Sequence, residues 1–169
     1  MANTKHYVNM AGAYIGAFGD GSVCSEPDAV EVPPPPAANH TWSGTDWVAP
    51  APTPSDVNAE RDRRIAAGFS FSGHLFQADS ESLSNINGAV SGALAAKGAG
   101  VAGDATNWFN GTTLNWIAAD NAPVAMTPDQ VIAFGQAAMA HKARHIQVAR
   151  GLKDMNPIPL DYTDDSHWT

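Results

Sequence analysis

The fold of this chain is decided between Asn58 and Met155, in a stretch that opens with Glu60-Arg61-Asp62-Arg63-Arg64-Ile65-Ala66-Ala67-Gly68. Just before it, Thr53-Pro54-Ser55-Asp56 combines a threonine suited to cap a helix with a proline at the first helical position, where its missing N–H costs nothing. Gly68 can end that helix because glycine adopts the left-handed conformation of a helix terminus without a steric penalty. The sequence therefore predicts a first helix that runs to Ala67.

Two more helices are predicted further along the stretch. Asp79 is a suitable cap for the second helix, whose expected buried stripe at helical spacing is Leu83, Ile86, Val90 and Leu94. The third helix starts with a capping box, Thr127-Pro128-Asp129-Gln130, and runs to about Lys153. Its expected inner face consists of residues three and four positions apart, namely Val131, Phe134, Ala138, His141, His145, Val148 and Leu152.

Short strands are predicted between these helices. Apolar and polar residues alternate from Phe69 to Gln77 around Ser72-Gly73, a pattern typical of a β-hairpin. The remaining strand candidates are Asn107–Asn110, Leu114–Ala118 and, after a turn at Asp120-Asn121, Val124–Met126. The sequence therefore predicts a small α+β domain of about three helices and two β-hairpins over residues 54–155.

The residues before this domain, 1–53, are expected to form an N-terminal arm of short hairpins joined by proline-rich linkers. His6–Asn9 and Tyr14–Phe18 are strand-like, and Gly12 between them can supply the positive φ of a tight turn. Pro33–Pro36 must adopt the polyproline II conformation, because proline fixes φ and lacks a backbone donor. We interpret it as a stiff spacer.

A second hairpin is expected at the end of the arm, where Trp42 and Trp47 flank a Ser-Gly turn and would face each other across two strands. Such hairpins are too small to bury large rings, so the rings need another surface. Residues 156–169 are rich in proline and aspartate and are predicted to form an extended acidic C-terminal tail. The candidate partner contacts are therefore Tyr7, Tyr14, Phe18, Trp42, Trp47 and Trp168.

Composition excludes some classes of function. The chain has 169 residues, of which 44% are hydrophobic and 15% charged, with a net charge of −8. Nucleic-acid binding is disfavoured because phosphates require a concentrated basic face. Cys24 is the single cysteine, so an internal disulfide and a thiolate metal cage are both ruled out. We expect neither a signal peptide nor membrane insertion, because no apolar run approaches the length of a spanning helix.

Two histidines offer the clearest alternative of a catalytic function. His141 and His145 lie four residues apart on one predicted helical face and could share a metal ion. Lys142 and Arg144 flank them, and Lys142 occupies the position where a metalloprotease motif requires glutamate. Packing or interface histidines near the helix C-terminus are the favoured interpretation. The sequence therefore predicts no catalytic, cofactor-binding or metal-binding residues and a protein that is not an enzyme.

The stretch from Asn58 to Met155 resembles DUF4376, a domain of unknown function found in tail proteins of bacteriophages and prophages. Besides the opening Glu60–Gly68, the resemblance is carried, in order, by Phe76-Gln77-Ala78-Asp79, Ile86-Asn87-Gly88-Ala89, Trp116-Ile117-Ala118-Ala119-Asp120-Asn121, Met126-Thr127 and Ala149-Arg150-Gly151-Leu152-Lys153-Asp154. Residues 12–16, 30–33 and 42–47 are similar, more loosely, to the leading segment of short phage tail proteins.

This resemblance implies a structural component of a phage tail, in the tail tip, the baseplate or the tail-fibre attachment. Its partners would be other tail, baseplate or fibre subunits, and it would be oligomeric in the assembly. It would be located in the virion after assembly in the host cytoplasm. One alternative is a tail-fibre assembly chaperone that is not retained in the virion. The other is a metal-dependent hydrolase built on His141 and His145.

Overall fold

The computed structural model describes residues 4–19 and 21–169, and the chain divides into two compact units, Met1–Ala51 and Pro52–Thr169. The sequence placed this boundary near Thr53. The N-terminal unit is built from strands and the C-terminal unit contains the three helices. Within the described residues, none of the helices combines the length and the apolar character that crossing a membrane requires.

The N-terminal unit contains a three-stranded antiparallel sheet in the order β2-β1-β3, followed by a two-stranded hairpin of β4 and β5. The predicted hairpins over the first strands and over the two tryptophans are both confirmed. No strand was predicted at Val30–Val32. The third strand of this sheet is a short Val-Glu-Val sequence that pairs antiparallel with β1. The strands are β1 (Lys5–Val8), β2 (Tyr14–Phe18), β3 (Val30–Val32), β4 (Thr41–Trp42) and β5 (Trp47–Val48).

Gly12 joins the two parts of the N-terminal unit. It has a φ of +80°, as the turn pattern predicted, and its carbonyl accepts a hydrogen bond from the Trp42 amide at 2.8 Å. A side chain at this position would collide with the Trp42 carbonyl. Only glycine therefore satisfies both the left-handed backbone and the close approach of β4.

Three capped helices frame the C-terminal unit: α1 (Pro54–Ala66), α2 (Ser80–Gly98) and α3 (Pro128–Asp154). Thr53 and Asp56 form a reciprocal capping box, and so do Thr127 and Gln130, each with proline in the first turn. The side chain of Asp79 accepts hydrogen bonds from the first backbone amides of α2. The sequence predictions of all three helix starts are confirmed, since a cap is a local interaction.

Two hairpins complete the predicted α+β fold, which is confirmed. The strands are β6 (Phe69–Phe71), β7 (His74–Phe76), β8 (Leu114–Ile117) and β9 (Pro123–Met126). The prediction of a strand at Asn107–Asn110 was wrong. Phe109 makes a single β-bridge to Thr112 in a tight turn. The indole N–H of Trp108 donates a hydrogen bond to the Met126 carbonyl at 2.8 Å, and Trp108 does not extend the sheet.

Phe134 lies at the centre of the main core. It is fully buried on α3, and four aromatic rings surround it with centroids 4.8–5.4 Å away: Phe69, Phe71, Phe76 and Trp116. These rings come from both hairpins, so the core forms where α3 packs against β6, β7 and β8. Aromatic pairs at such distances stabilise a fold beyond the area that they bury.

α2 packs closely against α3 through small residues. Gly135 faces Val90, and a Cβ at Gly135 would overlap the Val90 side chain. This approach rotates α2 relative to the predicted stripe: Leu83 and Ile86 are buried as expected, but the fourth inward position is Ala93. The prediction that Leu94 is buried was wrong, because the close approach of α3 admits only a small side chain and leaves Leu94 55% exposed.

The C-terminal segment folds back onto the C-terminal unit and ends in a short 3-10 helix, Asp165–His167. Trp168 is 3% exposed and packs in a second core with Val57, Ala149 and Leu152. The expectation of an extended tail is therefore wrong. The segment is acidic and proline-rich, but its terminal indole buries enough apolar surface to anchor the residues before it.

Candidate functional site

Three of the predicted contact residues of the N-terminal unit, Tyr14, Trp42 and Trp47, form an aromatic cluster together with His6, which was not predicted as a contact. The Tyr14 hydroxyl lies 2.8 Å from Nδ1 of His6, and their rings are stacked with centroids 5.9 Å apart. Tyr14 meets Trp47 edge-on at 6.1 Å, and Trp47 meets Trp42 at 5.4 Å. Trp42 and Trp47 are direct cross-strand partners, so the predicted pairing of the two rings is confirmed.

The indole of Trp47 also fixes the start of the proline run. Its Nε1–H donates a hydrogen bond to the Pro33 carbonyl at 3.0 Å. Proline carbonyls are free to accept because polyproline II makes no internal hydrogen bonds. The run beginning at Pro33 is therefore attached to the double-tryptophan hairpin at its first residue.

Tyr7 and Phe18 make a separate pair on the opposite face of the sheet, because side chains alternate along β1. Their rings meet edge-on with centroids 5.7 Å apart. Lys5 forms an ion pair with Glu31 at 2.7 Å on the same face. The structure thus brings the predicted contacts of the arm together in two groups, not in one.

These aromatic side chains are incompletely covered within their own unit. Tyr14 is 39% exposed, and Trp42, Trp47, Tyr7 and Phe18 are half-buried. Further exposed apolar side chains of the unit are Met10, Val23, Val30 and Val48. The N-terminal unit therefore presents a surface of aromatic and aliphatic groups rather than a closed core.

Trp168 does not belong to this surface, and its prediction as a partner contact was wrong. Its Nε1–H donates to the Tyr162 carbonyl at 2.7 Å, and the Arg64 guanidinium lies over its ring at 5.0 Å. His145 stacks on it with ring centroids 6.1 Å apart. A buried indole with its hydrogen bond satisfied is a structural residue, not a free contact.

A second feature is a groove of about 730 Å³ in the C-terminal unit, between α1, β6 and α3. We call it the basic groove because three arginines line it, Arg63, Arg64 and Arg144. The remaining lining residues are Ala67, Gly68, Phe69, Ser70, Ala137, Ala140, His141, His145 and Asp165.

Two of these arginines are paired and one is not. Glu60 is buried and accepts hydrogen bonds from Arg63 and Arg64 at 2.6–2.7 Å, and the bond from Arg63 holds the pKa of Glu60 below its ordinary value. Arg64 also reaches Asp165 at 2.7 Å. Arg144 is exposed and makes no ion pair with any of the residues that the structure describes.

His141 and His145 adjoin each other in the groove, with ring centroids 4.5 Å apart. Nε2 of His141 lies 3.2 Å from the Ile65 carbonyl, and Nδ1 of His145 lies 2.8 Å from the His141 carbonyl. A carbonyl can only accept a hydrogen bond, so each of these nitrogens carries a proton. In the neutral ring, the other nitrogen has a lone pair and is an acceptor. Burial lowers the pKa of His141.

The metal hypothesis rested on these two residues. Across residues 4–19 and 21–169, the structure places no group of three or more His, Cys, Asp or Glu side chains where it could hold a metal ion. Both imidazoles use one nitrogen on a backbone carbonyl. Packing of the two histidines near the end of α3, which the sequence favoured, agrees with the 5% exposure of His145.

The basic groove was not predicted from the sequence. It forms because α1 packs beside α3 and because Asp165 returns to Arg64 from 101 residues further along the chain. The local signal was Arg144 itself, an exposed basic residue one position before His145 on α3.

Comparison with known families yields one match. A family model described as a domain of unknown function, DUF4376, matches residues 48–166. No curated protein matches the chain. No solved structure matches it either.

Proposed function

The chain belongs to the DUF4376 family, and from this premise we propose that it is a structural component of a bacteriophage tail that acts through protein–protein contacts. The resemblance to phage-tail domains supplies the context, in the tail tip, the baseplate or the tail-fibre attachment. The neighbouring subunits of the tail are the partners, and the virion is the location.

One observation carries the proposal: the aromatic cluster of the N-terminal unit is half-exposed although it is held in a defined geometry. Aromatic side chains that are rigid, large and incompletely buried are enriched at protein interfaces, where they provide most of the binding energy. Tyr14 is fixed by its contacts to His6 and Trp47 yet remains 39% exposed. Binding of a partner over Tyr14 would cost little side-chain conformational entropy, since the ring is already positioned.

Open strand edges support the same function. β2 and β3 are the two outer strands of the three-stranded sheet. An outer strand carries unpaired backbone groups that can add a strand from another chain. Pro33 directly follows β3 and lacks an N–H, so β2 is the edge better suited to such pairing.

Mass spectrometry of purified virions tests this function. Particles of the phage or induced prophage that encodes the chain should contain it in a fixed ratio to other tail proteins. A chain that is missing from intact particles would overturn the proposal. If the same chain also raises the yield of soluble fibre trimers on co-expression, the assembly-chaperone alternative takes its place.

A point substitution connects the aromatic cluster to this function. Tyr14→Ala removes the exposed ring while the buried Val8 and Val32 remain, so the chain should fold and incorporate into particles at least about fivefold less well, a loss typical of one interface aromatic. Val23→Ala is the matched control, because Val23 is 85% exposed and lies outside the cluster. Equal incorporation of both variants would remove the aromatic cluster from the interface.

A further inference from the structure

We propose that the basic groove of the C-terminal unit binds carboxylate groups of an acidic protein segment. This inference goes beyond the proposed tail function and does not rest on it, since binding in the groove can be measured whatever the assembly role of the N-terminal unit.

The charge of the groove is opposite to that of the whole chain. Three arginines line it, against one lining carboxylate, Asp165, and the buried Glu60 behind Arg63 and Arg64. The groove therefore has a positive balance on a protein whose net charge is −8. Arg144 supplies the free cation, and a guanidinium presents a planar fork of donors that matches a carboxylate.

His145 lines the groove beside the arginines. It is 5% exposed, and its Nδ1–H is committed to the His141 carbonyl. The donors that a carboxylate would meet in the groove are therefore those of the arginines.

The size and floor of the groove favour a peptide segment over a small ion. A volume of about 730 Å³ falls in the range of sites that enclose a drug-sized ligand or several side chains. Apolar groups lie between the charges, from Phe69 on β6 and from Ala137 and Ala140 on α3. An extended acidic segment could place carboxylates at Arg144 and Arg63 and rest its aliphatic carbons on this floor.

A nucleic acid carries phosphates that the same guanidinium groups could bind, but it fits the molecule less well. The chain is acidic overall, and long-range repulsion of a polyanion would oppose binding outside the groove. A short acidic peptide avoids most of this repulsion because it extends little beyond the basic residues.

Calorimetric titration of the full chain with a capped hexaglutamate peptide at about 0.1 M ionic strength, where the Debye length is about 10 Å, tests the proposal. We expect binding, no binding of hexaglutamine, and an affinity about fivefold lower for Arg144→Gln, the loss expected for one exposed charge pair. Lys142→Gln is the matched control. It removes the same charge two residues away on α3, where Lys142 lines a different pocket with Asp62 and Asp79.

The remaining outcomes would overturn the proposal as a whole. The first is no binding of hexaglutamate, and the second is an equal loss of affinity for Arg144→Gln and Lys142→Gln. The third is binding of inorganic phosphate as tight as that of the peptide. The fourth is tighter binding of a single-stranded oligonucleotide that depends on Arg144. The first two remove the site, the third indicates a small-anion site, and the fourth indicates a nucleic-acid site. None of them bears on the presence of the chain in virions.

Discussion

Phe134 and Trp47 show how differently the two units of the chain treat an aromatic side chain. Phe134 is fully buried, and four rings from two hairpins surround it on a long helix. Trp47 is half-buried and meets the rings of Tyr14 and Trp42 on strands of two to five residues. Both residues were recognisable as important in the sequence, but only one of them has a complete set of neighbours.

The two units differ in how completely they cover their aromatic side chains. In the C-terminal unit, helices cover the hairpins, and buried side chains such as Phe76, Ile86 and Met126 form a contiguous core. In the N-terminal unit, the buried hydrophobic side chains among the described residues are Val8 and Val32. Two small sheets without a helical layer bury too little apolar surface to enclose large rings. The N-terminal unit is therefore the one whose aromatic rings remain incompletely covered.

The largest expected effect contrasts these two aromatic residues directly. Phe134→Ala should lower the free energy of unfolding of the C-terminal unit by about 3–5 kcal/mol, because it leaves a cavity among four rings. Trp47→Ala should leave that value unchanged. Denaturant unfolding followed by circular dichroism at the helical band reports on the C-terminal unit, since α1, α2 and α3 all belong to it. A large loss of helical stability in Trp47→Ala would contradict the assignment of Trp47 to a separate compact unit.

A smaller effect is expected where α2 and α3 touch. Gly135→Ala should destabilise the C-terminal unit by about 1–3 kcal/mol, because the new methyl group would overlap Val90. Gly151→Ala on the same helix is the control: nothing lies within 4 Å of its Cβ position. It should stabilise the helix by about 0.5–1 kcal/mol. Equal effects of the two substitutions would show that the helices do not pack this closely.

The smallest effect concerns the pH dependence of the C-terminal unit. Burial lowers the pKa of His141 below the value of 6.5 for an unfolded histidine. As the pH falls below 6.5, the unfolded chain therefore takes up a proton that the folded chain does not, and stability is lost until the folded pKa is passed. His141→Gln keeps a donor for the Ile65 carbonyl and removes this titration.

The stability of His141→Gln should accordingly fall less than that of the unsubstituted chain between pH 7.5 and pH 5.5, about the range over which histidine titrates. Denaturant unfolding at several pH values measures the difference, and all other titrating groups are common to both proteins. Parallel pH profiles would show that His141 is solvated rather than buried.

Much of the fold was predictable from short-range patterns. The starts of α1 and α3 follow from Thr53 and Thr127, because a capping box involves residues only three positions apart. The pairing of Trp42 with Trp47 follows from a short turn between alternating residues. These features were predicted since the chemistry that determines them lies within a few residues of the chain.

The candidate sites were less predictable. Leu94 was predicted to be buried, but Ala93 is the buried residue, because the position of α3 decides which side of α2 is covered. Trp168 was assigned to an interface, but Arg64, His145 and Val57 bury it. The basic groove requires Arg63 and Arg144, 81 positions apart in the chain, to face one space. No pattern of spacing within one element could have shown this.

The sequence by itself determined where the three helices of this protein begin and where the two hairpins of the C-terminal unit lie. It also determined the family that accounts for most of the chain. Caps, turns and alternation are local interactions, so the residues that make them specify the element directly. The tertiary structure alone decided which aromatic side chains are buried and which charges share a groove. Burial and electrostatic grouping depend on surfaces brought together from distant parts of the chain, and Trp168, packed against α1 and α3, shows how far apart those parts can be.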